Sequence, residues 1–160
     1  MRARNVLSKA FATVLTALLA VAVLPGEAYA GPASRSVADV RGEADRIMGL
    51  SRLDFINHDH IPPFDWDTDG CTFWPDGVFY EACAQHDFGY RNYGNHGSTH
   101  LSLSPTEETK AWLDERLHNQ MRFACNENWP AGSASHTSCL AQATIIHDAL
   151  SAGIGKENFF

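Results

Sequence analysis

The sequence predicts an all-α fold, a small helical domain that is cross-linked by disulfides. Three observations predict it. Apolar residues recur at helical spacing in several separate segments, a long segment between two of them is rich in proline, glycine and aspartate, and the four cysteines form an even set. The chain is long enough to bury one core and to form one compact domain.

Residues 1–30 have the order of features that signal peptidase recognises. An apolar run over 10–24 contains only two threonines, and a small-x-small cleavage site follows at 28–30. The alternative, a membrane anchor, needs about 20 apolar residues. The basic residues that precede the run are Arg2, Arg4 and Lys9. We therefore predict a cleaved signal peptide over 1–30, a secreted domain over 31–160, and no transmembrane segment in the mature chain.

The predicted mature chain is acidic. The signal removes 3 basic residues and 1 acidic residue from totals of 12 and 19, which leaves 9 against 18 and a net charge near −9. This charge argues against a nucleic-acid partner, because such binding depends on neutralising phosphates. It also suits an anionic membrane surface poorly. The acidic surplus can serve cation binding or simply keep a solvated face soluble.

The cysteines all follow the predicted signal. An even count in an exported chain predicts two disulfides, and the sequence alone permits three pairings. Zinc is the alternative, but the spacings are wide and no Cys-x-x-Cys motif occurs. The four residues are Cys71, Cys83, Cys125 and Cys139.

The predicted helices follow from apolar spacing. A first helix is predicted over 37–56, and residues 57–78 are predicted to form an irregular segment with too many aromatic residues for disorder. A second helix is predicted over 79–93. A third is predicted from Pro105, with Ser104 as its cap. The remaining predicted elements are a loop over 126–135 and a last helix over about 137–152.

His86 and Asp87 lie side by side in the second predicted helix. Adjacent helical positions point about 100° apart, so the two side chains cannot serve one atom together. They can serve two neighbouring tasks, such as a base on one side and a metal ligand on the other. The alternative is an ordinary surface pair on an amphipathic helix, and the pair taken alone favours that alternative.

Asp114 shares a face of the third predicted helix with Leu117 and Met121, at spacings of three and seven. A carboxylate beside an apolar stripe is costly unless it is paired and hydrogen-bonded. A histidine on a neighbouring helix would suit it, because an aspartate on one ring nitrogen fixes the tautomer and leaves the other nitrogen as a base. The alternative is a solvated carboxylate just off the stripe.

Asp69 lies in the irregular segment, directly before Gly70. A loop carboxylate, a loop carbonyl and a helix carboxylate can together hold calcium, which accepts oxygen ligands in irregular geometry. The other histidines give no comparable signal, and His58-x-His60 is more typical of a solvated helix end than of a metal site. The aspartates for which ordinary turn chemistry is predicted are Asp65, Asp67 and Asp76.

Two stretches of the chain resemble one known family. They are Asp65-Trp66-Asp67-Thr68-Asp69-Gly70-Cys71-Thr72 and Ala82-Cys83-Ala84-Gln85-His86-Asp87-Phe88-Gly89-Tyr90-Arg91-Asn92-Tyr93. The family is the prokaryotic and fungal secreted phospholipase A2 family, and the likeness covers most of residues 45–150. The resemblance implies a small disulfide-bonded helical domain with two antiparallel catalytic helices.

The resemblance also implies a role for each residue that matches the family's motif. His86 matches the general base, and Asp114 matches the carboxylate that orients it. Asp69 and Asp87 match calcium-binding carboxylates, and Gly70 matches the position that gives calcium a main-chain oxygen. The disulfide pairs that the resemblance implies are Cys71–Cys83 and Cys125–Cys139.

Gly70 is smaller than the residue expected at its position, which predicts a looser loop around the carbonyl ligand. Tyr90 follows His86 by about one helical turn, so we predict that it hydrogen-bonds within the His86–Asp114 network.

The implied activity is calcium-dependent hydrolysis of the sn-2 ester of glycerophospholipids, which releases a fatty acid and a lysophospholipid. The implied cofactor is Ca²⁺, and the implied partner is a glycerophospholipid at a membrane or micelle surface, met by a secreted monomer. Two other classes stay open, a metal-dependent phosphohydrolase and a secreted calcium-dependent binding protein without turnover. The aromatic residues predicted either to line an acyl pocket or to pack in the core are Phe64, Trp66, Phe73, Trp74 and Phe79.

Overall fold

The computed structural model describes residues 37–160, so the predicted signal peptide over 1–30 lies outside the described residues. Residues 37–160 contain helices and turns and no strand, which confirms the all-α prediction. No helix in this range is both long and apolar enough to cross a bilayer. The helices are α1 Val37–Met48, α2 Arg52–Ile56, α3 Tyr80–Tyr93, α4 Glu107–Asn128, α5 Ala134–Ser151 and α6 Lys156–Phe159, and a 3₁₀ helix at Gly77–Phe79 leads into α3.

The first predicted helix is in fact two helices, so that prediction is wrong. Gly49 follows α1 and donates its N–H to the carbonyl oxygen of Asp45 at 2.9 Å. Ser51 then caps α2, and its hydroxyl oxygen accepts a hydrogen bond from the Asp54 N–H at 3.1 Å. A helix stop and a helix start two residues apart override the continuous apolar pattern.

The bounds of α4 and α5 also differ from the predicted bounds. Thr106, rather than Ser104, caps α4 by accepting the Thr109 N–H at 3.2 Å, and the Ser104 hydroxyl contacts the Thr109 hydroxyl instead. The helix continues to Asn128, and Ser133 caps α5 ahead of its predicted start. Ser104 and Thr106 are both good capping residues, so the sequence alone cannot choose between them.

α3 and α4 pack side by side in opposite directions. The rings of Tyr93, at the end of α3, and Trp112, near the start of α4, lie 5.7 Å apart. Cys83, near the start of α3, instead shares a buried cluster with Met121, further along α4. The predicted antiparallel pair of helices is therefore confirmed.

Two apolar clusters form the core. The first joins α1, α2 and α3 to the chain end, and the second lies between α4, α5 and both disulfides. Each fully buried large side chain contributes about 1.5–3 kcal/mol. The first cluster includes Ile47, Met48, Phe55, Phe88 and Phe159, and the second includes Phe79, Leu117, Met121, Ile146 and Leu150.

The two disulfides confirm the predicted pairing. Cys71–Cys83 ties the irregular segment to α3, and Cys125–Cys139 ties α4 to α5. Each closes a short loop, and a bridge of this size contributes about 3 kcal/mol in the loop-entropy model. The segment before α3 is therefore held against the helix that carries His86.

The short helix α6 was not predicted, because four residues are too few to show apolar periodicity. Phe159 in this helix is fully buried, and its ring lies 5.1 Å from the ring of Tyr90. Its carbonyl oxygen accepts a hydrogen bond from the Asn95 N–H at 2.7 Å. The chain end thus packs over the α3 residue that stands one turn after His86.

Gly89 allows α3 to approach α4 closely, and we expect Gly89→Ala to lower the free energy of unfolding. An added Cβ would clash with Cδ2 of Leu113, which is fully buried. Overpacking costs about 1–3 kcal/mol, which is larger than the gain of about 1 kcal/mol from replacing a helical glycine. Gly42→Ala is the matched control, because Gly42 lies in α1 with open space at its Cβ position, and it should stabilise the protein. Urea unfolding measures both variants, and equal effects would contradict the packing argument.

Candidate active site

α3 and α4 bring His86 and Asp114 together in a buried contact. The Nε2 atom of His86 lies 2.9 Å from the Oδ1 atom of Asp114. Asp114 is only 3% exposed, so the alternative of a solvated carboxylate is wrong. Because Asp114 occupies Nε2, the other ring nitrogen of His86, Nδ1, is left for other partners.

The Asp114 carboxylate receives two further hydrogen bonds. The Tyr90 hydroxyl donates to Oδ1 at 2.8 Å, which confirms the predicted bond, and the Lys110 ammonium donates to Oδ2 at 2.7 Å. Burial on its own would raise the pKa of Asp114, but the bonds from His86, Lys110 and Tyr90 lower it below its usual range. Asp114 is therefore charged at neutral pH. Burial, and then the charge of Asp114, raise the pKa of Tyr90, so its phenol stays protonated and donates.

Asp87 faces the irregular segment rather than α4. Its Oδ2 atom accepts the Thr68 hydroxyl at 2.6 Å and the Asp69 N–H at 3.2 Å. The Asp69 carboxylate in turn accepts the Thr72 hydroxyl at 3.0 Å. Burial, and then the nearby charge of Asp69, raise the pKa of Asp87. His86 and Asp87 thus have separate surroundings. Asp87 lies near a second negative charge, that of Asp69, whereas Asp114 is surrounded by hydrogen-bond donors.

Gly70 occupies a backbone position that only glycine fits. Its φ is 71°, in the left-handed region, and an added Cβ would clash with the Asp76 carboxylate. Asp76 holds the loop by accepting the Cys71 N–H at 2.8 Å, and the Gly70 N–H donates to the Thr68 hydroxyl at 3.0 Å. The loop is therefore hydrogen-bonded on both sides of Gly70, and the looser loop stays a prediction.

The start of the irregular segment is fixed to α3 by a buried amide. Asn92 donates to the Asp65 carbonyl oxygen at 2.8 Å and accepts the Asp65 N–H at 2.9 Å. The Asp65 carboxylate accepts the Asp67 N–H at 3.0 Å, which confirms the predicted turn chemistry, and also the Ser98 N–H at 2.6 Å. Although burial opposes it, the hydrogen bonds from Ser98 and Asp67 lower the pKa of Asp65.

Several of these side chains line one cavity, which has a volume of about 340 Å³. Asp69, His86 and Asp87 form a polar part of its wall, and the Cys71–Cys83 disulfide lies beside them. The apolar part of the wall comes largely from α4, α5 and the irregular segment. Its residues include Leu117, Ile146, Leu150 and Ile154.

Two of the five aromatic residues considered for an acyl pocket line this cavity. Phe73 and Trp74 lie in its wall, and Phe73 is 67% exposed. Phe64 and Phe79 are buried in the core. Trp66 packs between the core and the His60 ring, with centroids 4.7 Å apart. The aromatic residues of the irregular segment therefore pack in the core as well as line the cavity.

A model of the prokaryotic phospholipase A2 family matches residues 52–153 of the chain. The chain belongs to this family. It is also similar to a secretory phospholipase A2 of the fungus Beauveria bassiana (strain ARSEF 2860), with 33% identity over 79 residues, or 47% of this chain. The aligned stretch spans 38% of the fungal protein's length.

Lys110 is a residue of this phospholipase A2 domain that sequence reasoning missed. It lies one helical turn before Asp114, is 5% exposed, and also donates to the Leu150 carbonyl oxygen of α5 at 3.2 Å. The spacing of four residues between the lysine and the aspartate was visible in the sequence. Such pairs usually lie on a solvated helix face, and only the packing of α5 buries this one.

We expect Lys110→Met to lower the free energy of unfolding by about 3 kcal/mol, because removing one partner of a buried ion pair leaves the other charge uncompensated. Lys156→Met is the matched control. Lys156 pairs with Glu107 on the surface, where such a pair contributes less than about 1 kcal/mol. Denaturant unfolding measures both, and a Lys110→Met protein as stable as Lys156→Met would contradict the assignment.

Proposed function

We propose that the protein is a secreted phospholipase A2 that hydrolyses the sn-2 ester of glycerophospholipids and releases a fatty acid and a lysophospholipid. One observation carries the proposal, the buried His86–Asp114 pair at a cavity with an apolar wall, in a chain of this family. A substrate with an ester group next to an acyl chain needs such a wall beside a few polar groups.

In the proposed mechanism His86 is the general base. Its Nδ1 atom takes a proton from water, and the water oxygen attacks the ester carbonyl carbon, so no acyl-enzyme forms. When the bond to the glycerol oxygen breaks, the protonated histidine returns the proton to that oxygen. Asp114 holds the imidazole in the required tautomer and stabilises its charged form, and Tyr90 and Lys110 hold Asp114.

We propose Ca²⁺ as the cofactor, with the Asp69 and Asp87 carboxylates and the Gly70 carbonyl oxygen as its protein ligands. The donor set fits the ion, because it consists of oxygen atoms alone. The raised pKa of Asp87, caused by burial and then by Asp69, supports a bound cation that relieves both effects. When bound, calcium would polarise the ester carbonyl and stabilise the negative charge that develops on its oxygen.

We further propose that residues 1–30 are removed on export and that residues 31–160 act as a monomer at a lipid surface. Two disulfides support export, because such bonds persist in oxidising surroundings outside the cytosol. The fungal relative is named as a secretory phospholipase A2, which agrees with this proposal. Outside cells even a weak calcium site, with a Kd of about 10⁻⁴–10⁻³ M, is sufficient.

Release of fatty acid from phosphatidylcholine vesicles tests the proposed base. We expect His86→Gln to lower kcat by about 10²–10⁴-fold, the usual contribution of general acid–base catalysis. His60→Gln is the control, because His60 is exposed and stacks on Trp66 rather than lining the cavity, and it should keep full activity. Full activity in His86→Gln would rule out the base assignment, and a wild-type protein that binds calcium without any turnover would favour a binding protein.

Thermal unfolding tests the proposed calcium ligands apart from activity. We expect calcium chloride to raise the unfolding midpoint of the wild-type protein, because the ion binds the folded state. Asp87→Asn should abolish that increase and leave the calcium-free midpoint at least as high, since it removes a half-buried charge beside Asp69. The exposed Asp59→Asn serves as the control and should keep the increase. A calcium response that persists in Asp87→Asn would contradict the ligand set.

A further inference from the structure

α4 and α5 carry a second group of metal-ligating side chains, none of which lines the cavity. Glu115 and His118 are three residues apart on α4, and His147 lies on α5. One ring nitrogen of each histidine and one carboxylate oxygen of Glu115 lie within 4.8 Å of one another. No role for these histidines could be predicted from the sequence, because only the packing of α4 on α5 brings them together.

The distances within the group suit a tetrahedral ion. The Nε2 atom of His147 lies 3.3 Å from the Oε2 atom of Glu115. Two ligands of tetrahedral Zn²⁺ with bonds of about 2.0–2.1 Å lie about 3.3 Å apart. Asn119 donates to the other oxygen of Glu115, Oε1, at 3.0 Å, which leaves Oε2 toward the histidine. The rings of His118 and His147 stack with centroids 4.6 Å apart, so the two imidazoles lie side by side in this group.

His118 also has an unsatisfied atom. Its Nε2 is buried and has no hydrogen-bond partner in the part of the chain that the structure describes. Leaving a buried polar atom unsatisfied costs about 1–3 kcal/mol, so the atom calls for an explanation. Glu115 is exposed and both histidines are partly exposed, so the group lies near the protein surface. Asp148 lies 3.7 Å from Nδ1 of His147, beyond hydrogen-bond distance, and adds a second negative charge near the group.

We infer that Glu115, His118 and His147 form a binding site for Zn²⁺ that joins α4 to α5. Two imidazoles and one carboxylate suit zinc, with water in the fourth position. Calcium prefers oxygen ligands, so this site and the proposed calcium site select different ions. The alternative is an ordinary His147–Glu115 surface ion pair, which binds no metal and adds little stability.

Calorimetric titration of the purified, disulfide-bonded protein with zinc chloride, in excess calcium chloride, tests the inference. We expect one zinc ion per chain and a higher thermal unfolding midpoint. His147→Gln and His118→Gln should each weaken zinc binding by at least about tenfold and remove the increase in the midpoint. His60→Gln, which alters the exposed histidine of the His58-x-His60 pair, is the control and should bind zinc like the wild type.

Cobalt gives a second readout that does not depend on stability. Tetrahedral Co²⁺ absorbs strongly in the visible range, and we expect these bands in the wild-type protein and in His60→Gln but not in His147→Gln. Circular dichroism without metal checks that each variant is folded. If His118→Gln does not fold, the comparison of His147→Gln with the wild type tests the inference. Unsaturable zinc binding by the wild type, equal binding by the wild type and His147→Gln, or loss of binding in His60→Gln would each overturn the inference.

Discussion

The rest of the site depends on the buried carboxylate of Asp114 and on the donors that surround it. A carboxylate taken out of water costs several kcal/mol unless partners offset the loss. α3 supplies His86 and Tyr90, and α4 supplies Lys110. Lys110 also donates to the Leu150 carbonyl oxygen, so the Asp114–Lys110 pair of α4 is hydrogen-bonded to both α3 and α5. The geometry that the proposed base needs is therefore fixed by the same contacts that make the burial of Asp114 tolerable.

Asp87 shows the opposite arrangement only one residue from His86. Its neighbours include a hydroxyl and an N–H, which are neutral donors, and the second carboxylate of Asp69. The protein thus supplies Asp114 with a full charge of opposite sign, whereas Asp87 and Asp69 together retain an excess of negative charge. This difference is the physical reason for proposing a base on one side of α3 and a cation on the other.

The family could be predicted because its motif is local, and the resemblance to that family then implied the His86–Asp114 pairing. The motif around His86 is contiguous, and the apolar stripe beside Asp114 follows from helical spacing alone. Helix bounds were less predictable, because Ser104 and Thr106 are competing caps only two residues apart. Lys110 was missed for a different reason, since its burial is a property of the packing between α4 and α5 and leaves no trace in the sequence around it.

The buried charged network of Asp114, His86 and Lys110 is a weak source of folding stability. Replacing a buried ion pair with apolar side chains of similar volume is often neutral or stabilising, and Leu117 and Ile146 in the neighbouring cluster show that this part of the fold accepts apolar packing. The network therefore calls for a chemical reason. In the proposed mechanism, once His86 has accepted a proton, Asp114 faces two cations and shares its charge with Lys110, so it holds the imidazolium less strongly than an unshared carboxylate would. That weaker hold favours transfer of the proton to the leaving oxygen, which is the step that a base must complete before it can act again.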